Sequence, residues 1–519
     1  MSKHQSIWII GMLAFALSGA WAQDTSTPQA TEPSPQSTPQ EPVPAYGQDN
    51  AAAPISENPP LSGLDLPSLE PHAAPLSYIQ PGATFSESAD SNIGGELGSG
   101  SSFNSVSRAL GSLILKRLWS NYDLGLDYIG GVGYYDLQGQ GFKALQQMDL
   151  VQKITWKRGQ LSLRDSFSYL PEGNFGGAYG SLGSQGISSL GNTAFGGFWG
   201  GSSLGTLGLA SRILNVSMAD VSQNLTPKST VTVAGGYAFT HFYGSDPTTG
   251  SPYLNSSQVS AQVGYNRIIT SHTQIALVYG YQGFDFNTFG NAFHSHVIQG
   301  MYGHRISGRM DLLIGAGPQI TFISSACTPF DVLGGNPHCG VSQTGQPTGS
   351  IPNTKIGVAA QARLRYKFTK TSMDLTYQRF QTSGSGLFAG AQSDLARLSA
   401  NRPLSRVWGA FVDIGYSRND RLQGLTNAQA ATCVFPGQDN PNHLPICPGV
   451  DANIYSTGFA GGGLHRAIGH DFHAFASYQF NELWFDHSYC GGLPACNRIS
   501  NRQVLTFGLD WTPRPMRID

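Results

Sequence analysis

Apolar and polar residues alternate along many short segments of this chain from residue 77 onward. In residues 471–481, one face carries Phe472, Ala474, Ala476, Tyr478 and Phe480. The other face carries Asp471, His473, Ser477, Gln479 and Asn481, and Phe475 is the one exception. Because successive side chains of a β-strand point to opposite sides, a period of two predicts strands with one apolar and one polar face.

The connections between these segments are of two kinds. Short, mostly polar turns are predicted around Asn121, at 157–159, 226–228, 270–272, 307–309 and 369–371, around Pro403 and Leu404, and at 468–470. Long connections are predicted at about 171–210, 325–353, 421–451 and 486–500. Short turns at one end and long loops at the other are typical of an antiparallel β-barrel that crosses a membrane.

A count of the strands tests this interpretation. Seventeen candidate strands run from Ala109 to Trp511, and the last one runs towards the short-turn side. A single-chain bacterial barrel has an even number of strands, and both of its ends lie on the periplasmic side. A further strand is therefore expected at residues 77–89, which include Tyr78, Ile79 and Phe85. The predicted fold is all-β: a transmembrane antiparallel barrel of about eighteen strands.

The N-terminal part of the chain has a different character. Lys3 and His4, an apolar run from Ile7 to Leu17 and the small residues around Trp21 predict a cleaved secretory signal at residues 1–22. Residues 23–76 are rich in Pro, Ser, Thr and Gln, which predicts a disordered periplasmic linker.

Four leucines interrupt the polar linker, and they allow two interpretations. They are Leu61, Leu64, Leu66 and Leu69. They could dock on a periplasmic partner, or they could be unremarkable linker residues. The barrel is expected to fill residues 77–513 and to be followed by a tail at 514–519. No stretch after the signal is long and apolar enough for a transmembrane helix, so a membrane crossing would have to be made by strands.

Charge and composition narrow the possible partners. Charged residues make up 12% of the chain, the formal net charge is −2, and there is no basic tract. Nucleic acid is therefore not an expected partner. The 65 glycines suit closely packed, strongly tilted strands.

The C-terminal segment carries a motif. Residues 506–511 combine Thr506, Gly508 and the spaced aromatics Phe507 and Trp511. With the strand ladder, this segment resembles bacterial outer-membrane β-barrel proteins of porin size. The usual final aromatic is absent, because Pro513 stands where it would come. The resemblance implies outer-membrane lipid and the barrel-assembly machinery as partners, an outer-membrane location, and a linker and C-terminus in the periplasm.

Six cysteines fall in the predicted long loops, all on the same side. They form near neighbours: Cys327 with Cys339, Cys433 with Cys447, and Cys490 with Cys496. In an exported protein such a set predicts disulfides, most simply closed within each loop. The alternative is a structural metal site with His338 and His443 as added ligands, but the spacings match no common zinc pattern.

Polar residues on the strands are candidates for lining a pore. The candidates are Asp311, Gln319, Gln361, Arg363, Arg365, Asp471, His473 and Gln479. A charge on the lipid face costs about 2–4 kcal/mol at mid-bilayer, which favours an inward direction for these side chains. Arg363, Arg365 and Lys367 could give the lumen an anion preference, or nearby aspartates such as Asp374 and Asp413 could balance them.

Catalytic signatures are not found in the sequence. His294 and His296 share a strand face, but a third metal ligand is not apparent. Asp486 and His487 have neither companion carboxylates nor a nucleophile in a typical context. We therefore expect no enzyme activity, metal or cofactor.

The function expected from these features is that of a passive channel for small hydrophilic solutes. The glycine-rich loop at 171–210 could fold into the lumen as a constriction or stay at the surface. Two alternatives remain: a non-transporting barrel whose disulfide-stapled loops bind a surface partner or polysaccharide, and a component of polysaccharide export. The sequence does not indicate the oligomeric state.

Overall fold

A computed structural model describes residues 60–62, 77–93, 103–136, 141–171, 211–243, 254–286, 291–327, 332–343, 347–383, 390–422, 453–486 and 499–518. Twenty strands lie in these ranges. They are β1 (Tyr78–Asp90), β2 (Asn104–Leu118), β3 (Tyr122–Tyr135), β4 (Gly141–Trp156), β5 (Gly159–Leu170), β6 (Arg212–Thr226), β7 (Ser229–Phe242), β8 (Ser256–Thr270), β9 (Thr273–Phe286), β10 (Asn291–Ser307), β11 (Met310–Ala326), β12 (Cys339–Val341), β13 (Pro347–Lys367), β14 (Ser372–Thr382), β15 (Ala391–Pro403), β16 (Trp408–Arg421), β17 (Ile454–Ile468), β18 (Phe472–Phe485), β19 (Ile499–Trp511) and β20 (Met516–Arg517).

The strands form a closed antiparallel barrel. Each barrel strand pairs with the next one along the chain, and β19 pairs back with β1 from Ala83 opposite Trp511 to Asp90 opposite Val504. The short strands β12 and β20 are not part of the ring, because β12 pairs with β13 and β20 pairs with the start of β1. Eighteen of the twenty strands therefore close the barrel, which confirms the predicted fold class and the strand expected at 77–89.

Side-chain burial separates the two faces of the barrel wall. On β8, Gln258, Ser260 and Gln262 are buried, whereas Val259 and Val263 are about half exposed. Polar side chains are thus inside, and apolar side chains cover the outside. This distribution matches a barrel whose outer face meets lipid and whose inner face is polar.

The connections differ between the two ends of the barrel. At one end, called the turn end, two to four residues separate successive strands, as between β4 and β5 or between β17 and β18. Gly469, in the β17–β18 turn, has a φ of 73°, a conformation that glycine adopts without steric cost. The opposite end, called the loop end, carries the longer connections, including 171–211 and 422–453. The start of β1 and the end of β19 both lie at the turn end.

Asp165 lies on the outer face of β5, where the alternation alone places it. A β-bulge that would turn it inward is not present, because β5 pairs with both neighbours without a register shift. The carboxylate instead accepts hydrogen bonds from Ser217 Oγ at 2.5 Å and from Asn215 Nδ2 at 3.3 Å, both on β6. β5 is therefore regular at this position. The stretch 388–400, whose apolar and polar residues do not alternate cleanly, contains most of β15, which also pairs without a shift.

None of the described residues belongs to a helix with the length and apolar character needed to cross a membrane.

The seam between β1 and β19 contains a buried ion pair near the loop end. Arg502 Nε and Nη2 donate to Asp90 Oδ2 at 2.8 and 2.5 Å, and both side chains are almost fully buried. Further hydrogen bonds cross the seam. Among them, Ser88 Oγ is hydrogen-bonded to Thr506 Oγ1 at 2.9 Å, and Gln503 N donates to Ser91 Oγ at 2.8 Å. Side chains therefore reinforce the backbone pairing that closes the barrel.

We expect Asp90→Ala to destabilise the barrel by about 3–5 kcal/mol, because it leaves the buried Arg502 guanidinium without this carboxylate. Urea unfolding of detergent-refolded protein, followed by the heat-modifiable shift on gels, measures this change. Thr506→Val is the matched control on the same seam and should cost about 1 kcal/mol, since it removes the neutral hydrogen bond to Ser88 Oγ and keeps the shape of the side chain. Equal losses in the two variants would show that the ion pair has no special role at the seam.

Candidate functional site

The inner wall of the barrel is built by the alternate residues of each strand. Those residues are mainly Gln, Ser, Thr, Asn, Arg and Asp, and many of them are buried. Such side chains hydrogen-bond with one another and with hydrated solutes. The inner wall is therefore the candidate functional site.

Two of the predicted pore-lining arginines are paired with aspartates near the turn end. Arg365, on β13, stands opposite Asp311 on β11, and its Nε donates to Asp311 Oδ1 at 2.9 Å. Arg363 Nε donates to Asp374 on β14, at 2.8 Å to Oδ2 and 3.1 Å to Oδ1. In both pairs the Nη2 atom makes a second contact with the same carboxylate. These bidentate pairs fix the direction of the charged groups.

A third pair continues this row on the next two strands. Arg397, on β15, donates from Nε and Nη2 to the two carboxylate oxygens of Asp413, on β16, at 2.9 and 2.8 Å. The three arginines and three aspartates carry no net charge together. The structure therefore favours the balanced wall over a local anion preference. Arg397 is absent from the sequence-based candidates, because residues 388–400 show no clean alternation from which its face could be assigned.

The predicted glutamines lie on the inner face, further from the turn end than this row. Gln319 and Gln361 are buried, and Gln361 Nε2 donates to Gln299 Oε1 at 3.4 Å. Gln479 is also buried, and its Nε2 donates to Asn481 Oδ1 at 2.7 Å. Amide side chains with both donors and acceptors thus form much of the wall, and they suit uncharged polar ligands.

The remaining two candidates lie at the turn end of β18. His473 is half-buried at the beginning of the inner face, next to the same-face residue Phe475. Asp471 belongs to the turn before β18, where its backbone carbonyl accepts a hydrogen bond from Thr512 N at 2.7 Å. The eight candidates therefore do not converge on one point. That they line an open pore stays a prediction.

Part of the N-terminal segment lies inside the barrel. Leu61 is 2% exposed and packs in an apolar cluster. The barrel members of that cluster are Leu214, Val216, Met218, Ala234, Ala238, Ala276, Val278, Met301 and Leu313. Of the four leucines noted in the sequence, Leu61 is the one within the described ranges. It contacts the chain's own barrel.

A second apolar cluster lies inside the barrel at the loop end. Its members are Phe284, Phe286, Phe293, Ile323 and Leu422. Leu422 follows β16, and its carbonyl accepts a hydrogen bond from Lys355 Nζ on β13. Residues far apart in the sequence thus meet across the loop end. The alternation of β9 and β10 is the one signal for this cluster in the sequence.

His294 and His296 lie on the outer face of β10. His296 Nδ1 is 2.7 Å from Tyr279 Oη, and the His294 ring stacks on Phe322 at 5.0 Å between centroids. The two histidines belong to a set of aromatic rings on the outer wall, as in the girdles of membrane barrels. Within the described ranges, no group of three or more His, Cys, Asp or Glu side chains could hold a metal ion.

One of the three predicted disulfides falls in the described part of the chain. Cys327 and Cys339 form a disulfide, with their Cα atoms 5.7 Å apart. This bond joins the end of β11 to the short strand β12 and confirms the pairing expected within that loop. Cys433, Cys447, Cys490 and Cys496 lie outside the described residues, as does most of the loop at 171–210.

Comparison with known proteins gives similarity at the level of structure. No family model and no curated protein matches the sequence. Among solved structures, the chain is similar to OccK2 (OpdF) of Pseudomonas aeruginosa, with a TM-score of 0.38 and 10% identity over 84% of this chain and 98% of that one. It is also similar to OpdQ of Pseudomonas aeruginosa, with a TM-score of 0.37 and 8% identity over 85% and 98%. OccAB1 of Acinetobacter baumannii gives a TM-score of 0.37 and 8% identity over 84% and 96%.

We expect Asp374→Asn to shift ion selectivity towards anions, because Arg363 then adds an unbalanced positive charge to the inner wall. The reversal potential in a KCl gradient across a planar bilayer measures this shift. The double variant Arg363→Gln with Asp374→Asn removes both charges and should return the value to that of the wild type. An unchanged reversal potential in Asp374→Asn would show that the permeating ions do not sense this pair.

Proposed function

We propose that this protein is a porin-like passive channel of a bacterial outer membrane. The observation that carries the proposal is the combination of a closed ring of eighteen strands, an apolar outer face and a polar inner face. A barrel of 16–18 strands encloses enough room for an aqueous channel unless an inserted element fills it. A polar inner wall would let hydrated solutes pass without loss of all their hydrogen bonds.

The composition of the wall indicates the solutes. Within each Arg–Asp pair near the turn end the two charges cancel. Glutamines occupy much of the remaining wall. Small, uncharged hydrophilic solutes are therefore the class that this wall suits best. Passage would be diffusive and would involve no chemical step.

The orientation in the membrane follows from the connections. Short turns face the periplasm in bacterial outer-membrane barrels, and longer loops face outward. Both ends of the barrel chain lie at the turn end, which supports a periplasmic N-terminal linker and C-terminus. The Cys327–Cys339 disulfide lies at the loop end, where it would staple an external loop.

We expect liposomes that contain the refolded protein to swell in solutions of small neutral sugars, at rates that fall steeply as the sugar becomes larger. The physical reason is that a polar lumen of fixed width discriminates by solute size. Stopped-flow light scattering measures the rates, and liposomes without protein give the background. Swelling at the background rate for every sugar would contradict the channel and favour the non-transporting barrel.

A further inference from the structure

Residues 60–62 occupy a site on the inner wall that contacts both their backbone and their side chains. Leu61 N donates to Asn266 Oδ1 at 3.1 Å. The Ser62 carbonyl accepts from Gln262 Nε2 at 2.7 Å and from Thr232 Oγ1 at 2.8 Å. Three side chains from β7 and β8 thus satisfy the buried peptide groups of the segment, which would otherwise be costly to take out of water.

The Leu61 side chain lies in an apolar pocket of the inner wall. It belongs to one cluster with Val216, Met218, Val278 and Met301 of β6, β9 and β10 and with further apolar residues. The inner face of β8 beside this pocket carries Gln258, Ser260, Gln262 and Asn266. The leucine therefore lies on an apolar patch that has polar side chains of β8 beside it.

Two glycines make room for the segment. A Cβ at Gly264 would lie 2.4 Å from Ser62 Cβ, and a Cβ at Gly303 would lie 2.9 Å from both Leu61 δ-carbons. Backbone recognition, a leucine-sized pocket and these two glycines together make a built binding site.

The Ser62 hydroxyl contributes little to this recognition. Its Oγ is buried, and within the described chain it has no hydrogen-bond partner. The site therefore recognises the segment through hydrogen bonds to its backbone and through apolar packing on the leucine side chain. This is the chemistry of a site that accepts a peptide in general, with leucine as the anchor.

The segment is tethered to the barrel by residues 63–76, which separate Ser62 from Ser77, the residue before β1. A chain of this length reaches at most about 50 Å when extended. Because the tether is short, the effective concentration of the segment at the site is on the order of millimolar. A site of modest affinity can therefore be filled by its own tethered segment and still exchange it.

From these contacts we propose that the lumen contains a peptide-binding site on β6–β10, and that residues 60–62 fill it as a tethered plug. The ligand class is a short peptide bound through its backbone and one leucine side chain. In the full chain this occupancy narrows the lumen, and release of the segment widens it. The effect on current rests on the proposed channel function, whereas the binding of the peptide does not.

Binding is tested with the chain from which residues 58–64 have been deleted. The probe is a fluorescent synthetic peptide with the sequence of residues 58–64, Asn-Pro-Pro-Leu-Ser-Gly-Leu, and fluorescence anisotropy measures its affinity. We expect saturable binding, unchanged when the residue equivalent to Ser62 is alanine and at least about tenfold weaker when the residue equivalent to Leu61 is asparagine. Absence of saturable binding, or equal binding of all three peptides, would overturn the site.

Wall variants locate the bound peptide. In the same deletion background, Gly264→Val should abolish binding because its side chain takes the place of Ser62. Gly357→Ala is the matched control on β13, since a Cβ there meets nothing within 4 Å. Loss of binding in both variants, or in neither, would contradict the assigned position.

Channel recordings test the consequence for the lumen. Leu61→Asn in the full chain should raise the single-channel conductance by about twofold through a wider lumen, whereas Ser62→Ala should leave it at the wild-type value. The unlabelled peptide should restore the lower conductance of Leu61→Asn. Equal conductance in wild type and Leu61→Asn would overturn the plug. Peptide binding without conductance in any variant would support the site and instead contradict the proposed channel function.

Discussion

The structure depends on one constraint: inside a bilayer every backbone N–H and C=O group must be paired within the protein. A strand ladder meets this requirement when its last strand returns to its first. Here β19 returns to β1, and the Arg502–Asp90 pair and the Ser88–Thr506 contact strengthen the return. Because the ring is closed, one face of every strand is enclosed and the other is not.

Because the barrel is closed, the alternation of polar and apolar residues separates an enclosed face from a face that meets lipid. On an open sheet, alternation would separate a core face from a solvent face, with the apolar residues buried. In this barrel the apolar residues Val259 and Val263 are on the outside and the polar residues Gln258 and Gln262 are buried. The inversion follows from the two solvents that the wall separates, lipid outside and polar groups inside.

The sequence was sufficient for features that depend on local pattern or on counting. The strand at β1 was predicted from the even strand number and the side on which the chain must end. The Cys327–Cys339 bond was predicted from proximity along the chain. The sequence was not sufficient where partners come from distant segments. Asp165 shares its face of β5 with apolar residues, and its hydrogen-bond partners Ser217 and Asn215 lie about fifty residues further along.

The inner wall shows the same division between local and distant information. The directions of Arg363 and Arg365 followed from the alternation, but their neutralisation by Asp374 and Asp311 depends on the registers of β11, β13 and β14. The register also brings Arg397 and Asp413 together, which no single strand reveals.

The place of Leu61 is the clearest case of information that local patterns do not contain. A leucine in a proline-rich segment predicts nothing about the barrel, because its site is assembled from Thr232, Gln262, Asn266 and apolar residues of five strands. The barrel residues in turn look anomalous by themselves, since Val216, Val278 and Met301 are apolar side chains on a polar face. The leucine in the proline-rich segment and the apolar residues on the inner face are explained by their contact with each other. An apolar patch on the inner face would face water in an empty lumen at a cost, and the leucine covers it. Around Leu61, therefore, the departures from strict alternation mark where the barrel holds its own N-terminal segment.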